Sequence, residues 1–218
     1  MKRAEISLQD KVALITGAAG GLGGAIAWAF GAAGARVFLH DLFEDKLKDI
    51  AGAMQAEGIE AGYKASDITA SGAPQALVDA AIGKMGRIDI VVNSAGINRP
   101  QKSEDVTEKN WDDIMNINLR AMFFVSQAAG KHMIERGGGG KIINLSSQAG
   151  AVALPLRAAY CSSKGGVNQL TRTLALEWAK HRIVVNAVAP TFVETPFTAQ
   201  MFQDEEFKKY VLASIPLG

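Results

Sequence analysis

The residues with the clearest chemical potential are Tyr160 and Lys164. They stand four residues apart within a helical pattern over 158–181, so both side chains should leave one face of the helix, a turn apart. A phenol has an ordinary pKa near ~10, and an ammonium group close by should favour the phenolate and lower that pKa. Tyr160 could then take a proton from an alcohol or return one to a carbonyl. A Tyr-x-x-x-Lys pair alone is weak evidence, because such pairs also meet by chance on helices.

A glycine-rich turn near the N-terminus is a candidate phosphate site. An apolar run over 12–15 predicts a buried strand, and apolar residues then recur at helical spacing up to Gly34. Backbone N–H groups at a helix start attract anions, and missing Cβ atoms let a phosphate approach. The spacing of Gly17, Gly21 and Gly23 is one residue longer than G-x-G-x-x-G, so a plain turn is an alternative. The predicted phosphate-binding positions are Gly17, Gly20, Gly21, Leu22 and Gly23.

The next predicted strand, 36–40, ends in Asp41, about twenty residues past the glycines, where a carboxylate can accept hydrogen bonds from an adenosine ribose. This carboxylate would repel a 2′-phosphate, and Leu42 after it offers no cation. The pattern therefore favours NAD over NADP. The alternative is that Asp41 only caps the helix that begins near Glu44.

Composition predicts one soluble globular domain over residues 1–218. Of the 218 residues, 48% are hydrophobic and 21% are charged, and the net charge is +1, so neither nucleic acid nor a membrane surface is indicated as a partner. The N-terminus lacks the apolar core of a signal peptide, and no segment is long and apolar enough to span a bilayer. Cys161 is the sole cysteine, so the sequence offers no partner for an internal disulfide. We predict a cytoplasmic protein, with no metal site.

Strand and helix patterns alternate from Val12 almost to the end, which predicts a Rossmann-type, doubly wound parallel sheet with helices on both faces. One long helix is predicted from Trp111 to about Glu135. Ligands of such sheets bind outside the carboxyl ends of the strands. The glycine turn, Asp41, Asn93 and Ser147 should therefore face one crevice.

With these motifs in this order, the sequence resembles the classical short-chain dehydrogenase/reductases over 8–218. The resemblance implies that Tyr160 is the acid/base, that Lys164 binds the nicotinamide ribose, and that Asn118 holds a water. It also implies that Ser147, which lies thirteen residues before Tyr160, orients the carbonyl. The neighbouring Ser146 is the competing candidate for that serine.

The resemblance implies further contacts with the cofactor. Asp67 and Ile68 stand where the family holds the adenine ring, and the turn over 93–96 resembles its Asn-Asn-Ala-Gly turn with one serine substituted. The segment 190–195 resembles the part that clasps the nicotinamide, although Thr191 replaces a glycine. The implied cofactor contacts are Asp67, Ile68, Asn93, Ala95, Gly96, Tyr160, Lys164, Pro190, Val193 and Thr195. Thr195 could instead be only a helix N-cap.

The implied activity is that of an NAD-dependent dehydrogenase or reductase of a small polar hydroxy or keto compound, similar to the sugar-acid dehydrogenases that act on gluconate. Arg99 is the cation that could face a substrate carboxylate, unless it is a solvated surface residue. The alternatives are an NADPH-dependent 3-oxoacyl reductase and an inactive dinucleotide-binding regulatory protein. The resemblance also implies a homo-oligomer, dimer or tetramer, paired through its two long helices, and a C-terminal edge strand that this sequence lacks.

Overall fold

A parallel sheet of six strands forms the centre of the computed structural model, which describes residues 7–193, 195, 201–213 and 215. The order across the sheet is β3-β2-β1-β4-β5-β6. The strands are β1 (Val12–Thr16), β2 (Arg36–Asp41), β3 (Ala61–Ala65), β4 (Ile90–Asn93), β5 (Gly140–Leu145) and β6 (Ile183–Val188). From β1 the chain adds β2 and β3 on one side of the sheet and then crosses over to add β4 on the other side. This change of side creates a crevice at the carboxyl ends of β1 and β4. The predicted fold class is confirmed.

Helices cover both faces of the sheet. They are α1 (Gly21–Ala32), α2 (Glu44–Ala56), α3 (Ala73–Met85), α4 (Glu108–Met115), α5 (Met122–Arg136), α6 (Ala158–Trp178) and α7 (Glu205–Ala213). Helices α1 and α2 pack in the core cluster on one face, and α3, α5 and α6 pack in the cluster on the other. Within the described part of the chain, no helix has the length and apolar character needed to cross a membrane.

Strand β1 is buried on both sides because its side chains alternate between the two core clusters. Val12 and Leu14 join the cluster beneath α3 and α5, whereas Ala13 and Ile15 join the cluster beneath α1 and α2. Burying a Leu or Ile side chain contributes about 1.5–3 kcal/mol. The strand is thus a rigid base for the glycine turn that follows it.

The chain is helical throughout the range from Trp111 to about Glu135, as predicted, but the middle of this helix is not α-helical. A π-helical turn, Asn116–Ala121, separates α4 from α5. Asn118 in this turn accepts a hydrogen bond from Ile97 N (2.8 Å) and donates one to Ile97 O (2.9 Å). The wider turn places the buried amide against the loop after β4, a tertiary contact that helical periodicity does not reveal.

Candidate active site

A cleft of about 780 Å³ opens at the carboxyl ends of the strands. Its walls come from the glycine turn after β1, the ends of β2 and β5, the turns after β3 and β4, the start of α6 and the segment after β6. The predicted residues that line it are Gly17, Gly20, Gly21, Leu22, Gly23, Asp41, Asp67, Ile68, Ala95, Gly96, Ser147, Tyr160, Lys164, Pro190, Val193 and Thr195. The strand topology therefore brings these distant positions into one site.

The glycine turn is bound to the turn after β4. Thr16 Oγ1 accepts hydrogen bonds from Ser94 N (3.1 Å) and Ala95 N (3.2 Å). Gly17 has a φ of +69°, and a Cβ there would lie 2.8 Å from Ala95 N. A residue with a side chain at position 17 would be strained and would push the two turns apart.

The start of α1 is suited to a pyrophosphate group. Gly20 and Gly21 line the cleft, and Cβ atoms on them would meet nothing within 4 Å. The first turn of α1 has no acidic residue and no side chain capping its N–H groups. The positive end of the helix dipole is left for an anion in the cleft, which is what a dinucleotide requires.

Asp41 at the end of β2 fastens the glycine turn. Its carboxylate accepts hydrogen bonds from Ala19 N (3.0 Å) and Leu42 N (2.7 Å). A carboxylate has about four acceptor positions, so capacity is left for ribose hydroxyls. The alternative role as a helix cap is not observed, because Phe43 occupies the N-cap of α2 with no side-chain hydrogen bond.

Farther along the cleft, Asp67 and Ile68 follow β3. Asp67 accepts hydrogen bonds from Thr69 Oγ1 (2.6 Å) and Thr69 N (2.9 Å), and these bonds lower the pKa of its carboxyl. His40 is buried beside them, with Nε2 3.1 Å from Ser66 O. Burial lowers the pKa of His40, so its neutral form is favoured here.

The catalytic candidates meet where β5 ends and α6 begins. Tyr160 and Ser147 share a side-chain hydrogen bond, and Ser147 Oγ also accepts one from Ala149 N (3.1 Å). Lys164 Nζ lies 5.7 Å from the centre of the Tyr160 ring. Both α6 residues thus reach the cleft from one face, as their spacing predicts.

The predicted lowering of the Tyr160 pKa is wrong for the protein without a cofactor. Burial raises the pKa of this phenol, and the hydrogen bond to Ser147 offsets part of that rise. Lys164 is not among the groups that lower the pKa of Tyr160, and its Nζ donates to Leu145 O (2.7 Å). Burial also lowers the pKa of Lys164, to about 8.

The two neighbouring serines differ in where they point. Ser146 Oγ donates to Asn168 Oδ1 on α6 (2.6 Å), whereas Ser147 bonds to Tyr160. Ser147 is therefore the serine placed to act with the tyrosine.

Asn118 and Asn93 lie inside the fold, outside the lining of the cleft. Asn118 is held by Ile97 as described above. Asn93 donates to Ser126 Oγ (2.9 Å) and Asn144 Oδ1 (2.9 Å), which links β4 to α5 and β5. The expected direct contact of Asn93 with a cofactor is not supported by this placement.

Arg99 is also outside the lining of the cleft. Its exposed guanidinium pairs with Asp113 and donates to Asn110 Oδ1 (3.0 Å) on α4. The neighbouring Asn98 does line the cleft, and its Oδ1 is buried with no hydrogen-bond partner among the described residues.

Sequence reasoning missed several lining residues, among them Lys46 and Ile117. Lys46 stands on α2 shortly after Asp41, with Nζ 5.0 Å from the centre of the Phe43 ring. Lys46 could have been found from the sequence, because the helix predicted after Asp41 begins beside the cleft. Ile117 lies in the π-helical turn and had no such signal.

Comparisons with known proteins agree with this geometry. The family model described as short chain dehydrogenase matches residues 11–206. The chain is 40% identical over 215 residues to the 2-dehydro-3-deoxy-D-gluconate 5-dehydrogenase of Escherichia coli (strain K12), covering 97% of this chain and 83% of that relative. It is 42% identical over 192 residues to the D-threitol dehydrogenase of Mycolicibacterium smegmatis, covering 88% and 73% of the two chains.

Among solved structures, a gluconate 5-dehydrogenase from Burkholderia cenocepacia J2315, in complex with NADP and tartrate, superposes with a TM-score of 0.90. It is 34% identical, and the match covers 94% of this chain and 80% of that one. The chain therefore belongs to the short-chain dehydrogenase/reductase family and is an NAD(P)-dependent oxidoreductase of CH–OH groups, with sugar-acid dehydrogenases among its relatives.

Proposed function

We propose that the protein transfers hydride between NAD(H) and a secondary alcohol or ketone of a small sugar acid or polyol, with Tyr160 as the acid/base. The observation that carries the proposal is the group formed by Ser147, Tyr160 and Lys164 on the wall of one cleft. The names of the relatives, which include dehydrogenases of a sugar acid and of threitol, support the substrate class.

Each member of the group has a role that follows from its surroundings. A bound nicotinamide supplies the hydride donor or acceptor. Ser147 holds the substrate oxygen beside the Tyr160 hydroxyl, which gives its proton to a carbonyl or takes one from an alcohol. Because burial raises its pKa, Tyr160 is protonated at neutral pH and is ready to act as the acid.

Lys164 fits the binding of ribose hydroxyls. An ammonium group has three donors, and here one is used by Leu145 O. Two donors are left at the wall of the cleft. Lys164 would thus hold the cofactor ribose next to Tyr160.

NAD is favoured over NADP because the Asp41 carboxylate lies where a 2′-phosphate would add negative charge. We expect Asp41→Asn to improve the affinity for NADP about tenfold relative to NAD, because it removes the charge and keeps an acceptor for Ala19 N. Asp41→Ala, which also frees the glycine turn, should weaken both cofactors. Fluorescence titration of NADH and NADPH measures these affinities, and a wild-type preference for NADPH would contradict the role given to Asp41.

A polyhydroxylated substrate is supported by the names of the relatives, and by Asn98, which lines the cleft with a side chain type that can pair with hydroxyl groups. Gluconate, threitol and a 3-oxoacyl thioester, each assayed with NAD(H) and NADP(H), separate this class from a 3-oxoacyl reductase. If the wild-type protein binds dinucleotide but turns over no member of the panel, the regulatory alternative is favoured instead.

Tyr160→Phe tests the acid/base directly. It removes the hydroxyl that transfers the proton and keeps the ring, so we expect turnover to fall by about 10²–10⁴-fold. The dissociation constant of NADH should stay within about twofold, since the glycine turn and Lys164 are untouched. Ser162→Ala, at an exposed position two residues further along α6, is the control and should leave both quantities unchanged. Near-normal turnover of the Tyr160→Phe variant would remove Tyr160 from the mechanism.

The proposal includes a homo-oligomer, dimer or tetramer, that pairs its long helices. On α6, Leu174 is buried and Leu170 and Trp178 pack against the core, so these apolar side chains are used within the protomer. Leu176 on α6, which is 81% exposed, supports the pairing.

A further inference from the structure

Asn168 on α6 binds both sides of the segment that bears Ser147. Its Oδ1 accepts from Ser146 Oγ (2.6 Å), and its Nδ2 donates to Gly150 O (3.0 Å). Asn168 stands four residues after Lys164, so it lies one helical turn farther along the same face. Both ends of one carboxamide therefore fix the segment 146–150 to the helix that carries Tyr160.

The segment is in close contact with α6 at this point. A Cβ on Gly150 would lie 2.6 Å from Asn168 Nδ2 and 2.7 Å from Lys164 O. The backbone of the segment thus packs directly on the helix, and the amide of Asn168 fills the remaining space. A shift of Asn168 would be passed on to the segment.

Other hydrogen bonds hold the segment to a different part of the fold. Ser146 N donates to Val188 O (2.8 Å), and Gln148 N donates to Pro190 O (3.0 Å). These bonds tie it to β6 and the residue after it, but they do not set its distance from α6. Lys164 of α6 also contacts the residues before Ser147, through Nζ to Leu145 O (2.7 Å) and through its backbone O to Ser146 Oγ (3.4 Å). Within the described residues, Asn168 is the α6 side chain that binds on both sides of Ser147.

We propose that Asn168 is a positioning residue that holds Ser147 at hydrogen-bonding distance from Tyr160. This inference rests on the proposed function, in which these two hydroxyls act on one substrate oxygen. Misplacing a reacting group by about 1 Å can lower a rate by about 10²-fold. Asn168 needs no contact with the substrate or cofactor to have this effect.

The first experiment needs no substrate. Asn168→Leu removes both hydrogen bonds and keeps a side chain that branches at Cγ. The ionisation of Tyr160 is followed by the ultraviolet difference spectrum of tyrosinate, with a Tyr160→Phe background subtracted. Because Ser147 lowers the pKa of Tyr160 by hydrogen bonding, its displacement should move the titration of Tyr160 to higher pH. An unchanged Tyr160 titration in the folded variant would overturn the proposal.

The second experiment separates positioning from binding. With NAD and the best substrate of the panel above, Asn168→Leu should lower kcat about 10- to 100-fold and leave the dissociation constant of NADH within about twofold. Ser146→Ala removes only one of the two bonds and should give a smaller loss. Once Asn168 is leucine, Ser146→Ala should add little further loss, because only the longer contact of Ser146 Oγ with Lys164 O (3.4 Å) is left to remove. Gln169→Ala, an exposed neighbour on α6, is the matched control and should behave as wild type.

The outcomes distinguish the two proposals. If Tyr160→Phe keeps its turnover, the proposed function fails, while the tyrosinate titration still decides whether Asn168 positions Ser147. If kcat of Asn168→Leu is unchanged in an active enzyme, the positioning role alone is refuted. Cooperative thermal unfolding checks that the variants fold. If Asn168→Leu does not fold, Ser146→Ala must move the titration of Tyr160 to higher pH, or the proposal is overturned.

Discussion

Lys164→Met should stabilise the cofactor-free protein while abolishing its activity. Lys164 is 5% exposed, and burial lowers its pKa from 10.5 to about 8. At about 1.4 kcal/mol for each pH unit, holding this ammonium in the fold at pH 7 costs about 3 kcal/mol of the free energy of unfolding. Methionine has a similar unbranched chain and no charge, so it removes this cost.

The variant also loses one favourable contact. The hydrogen bond from Nζ to Leu145 O is worth about 1 kcal/mol. We therefore expect a net gain of about 2 kcal/mol at pH 7, or a rise in Tm of about 4–8 °C for a domain of this size. Between pH 8 and 10.5 the unfolded wild-type chain binds more protons at Lys164 than the native one, so wild-type stability rises with pH. Above that range the advantage of methionine should disappear.

Urea denaturation of the cofactor-free protein at pH 7 and near pH 10 measures both parts of this prediction. Lys141→Met, at an exposed position of β5, is the matched control and should change the free energy of unfolding by no more than about 0.5 kcal/mol. A Lys164→Met variant less stable than wild type at pH 7 would refute the reasoning, because it would show that burying this ammonium carries no net penalty.

Two further predictions concern the turn and the opposite end of the sheet. Gly23→Ala would place a Cβ 2.8 Å from Gly17 C and closer still to Gly17 O, so we expect the free energy of unfolding to fall by about 1–3 kcal/mol. Gly20→Ala is the control, because its Cβ would meet nothing within 4 Å. It should stay within about 0.5 kcal/mol of wild type. Equal urea midpoints would contradict this difference. Ile88 N donates to His132 Nε2 (3.3 Å), a bond that needs a neutral imidazole, and burial lowers the pKa of His132 below 6.5. The free energy of unfolding should therefore fall as the pH drops from 6.5 through the pKa of His132 in the folded protein. His132→Gln keeps an acceptor that does not titrate, so this variant should lose less stability over the same range. Identical pH profiles of wild type and variant would disprove the role given to His132.

The order of elements and much of the site could be predicted because both depend on short-range patterns. The apolar run of β1 and the glycines after it predict a strand, a turn and a helix, and the spacing of Tyr160 and Lys164 predicts a shared helix face. In a parallel sheet the carboxyl ends of all strands lie at one edge, so placing Asp41 and Ser147 at strand ends was enough to place them in one cleft.

What could not be predicted depends on contacts between distant parts of the chain. The π-helical turn exists where Asn118 reaches the backbone of Ile97, and nothing in the local pattern of 111–135 indicates it. The Asn93 amide is directed into the fold because Ser126 and Asn144 lie there to receive it. Local sequence gives the position of a polar residue, and the three-dimensional fold alone gives its partner.

The protonation of the catalytic pair is the most consequential of these tertiary effects. Burial raises the pKa of Tyr160 and lowers that of Lys164, so each group is shifted toward its neutral form. Reduction of a carbonyl needs a protonated phenol, which the cofactor-free cleft already holds. Oxidation of an alcohol requires Tyr160 to give up its proton first, so it depends on positive charge brought close to the phenol or on high pH. Burial of this part of the cleft therefore both makes the Lys164 ammonium costly for stability and keeps Tyr160 protonated in the resting site.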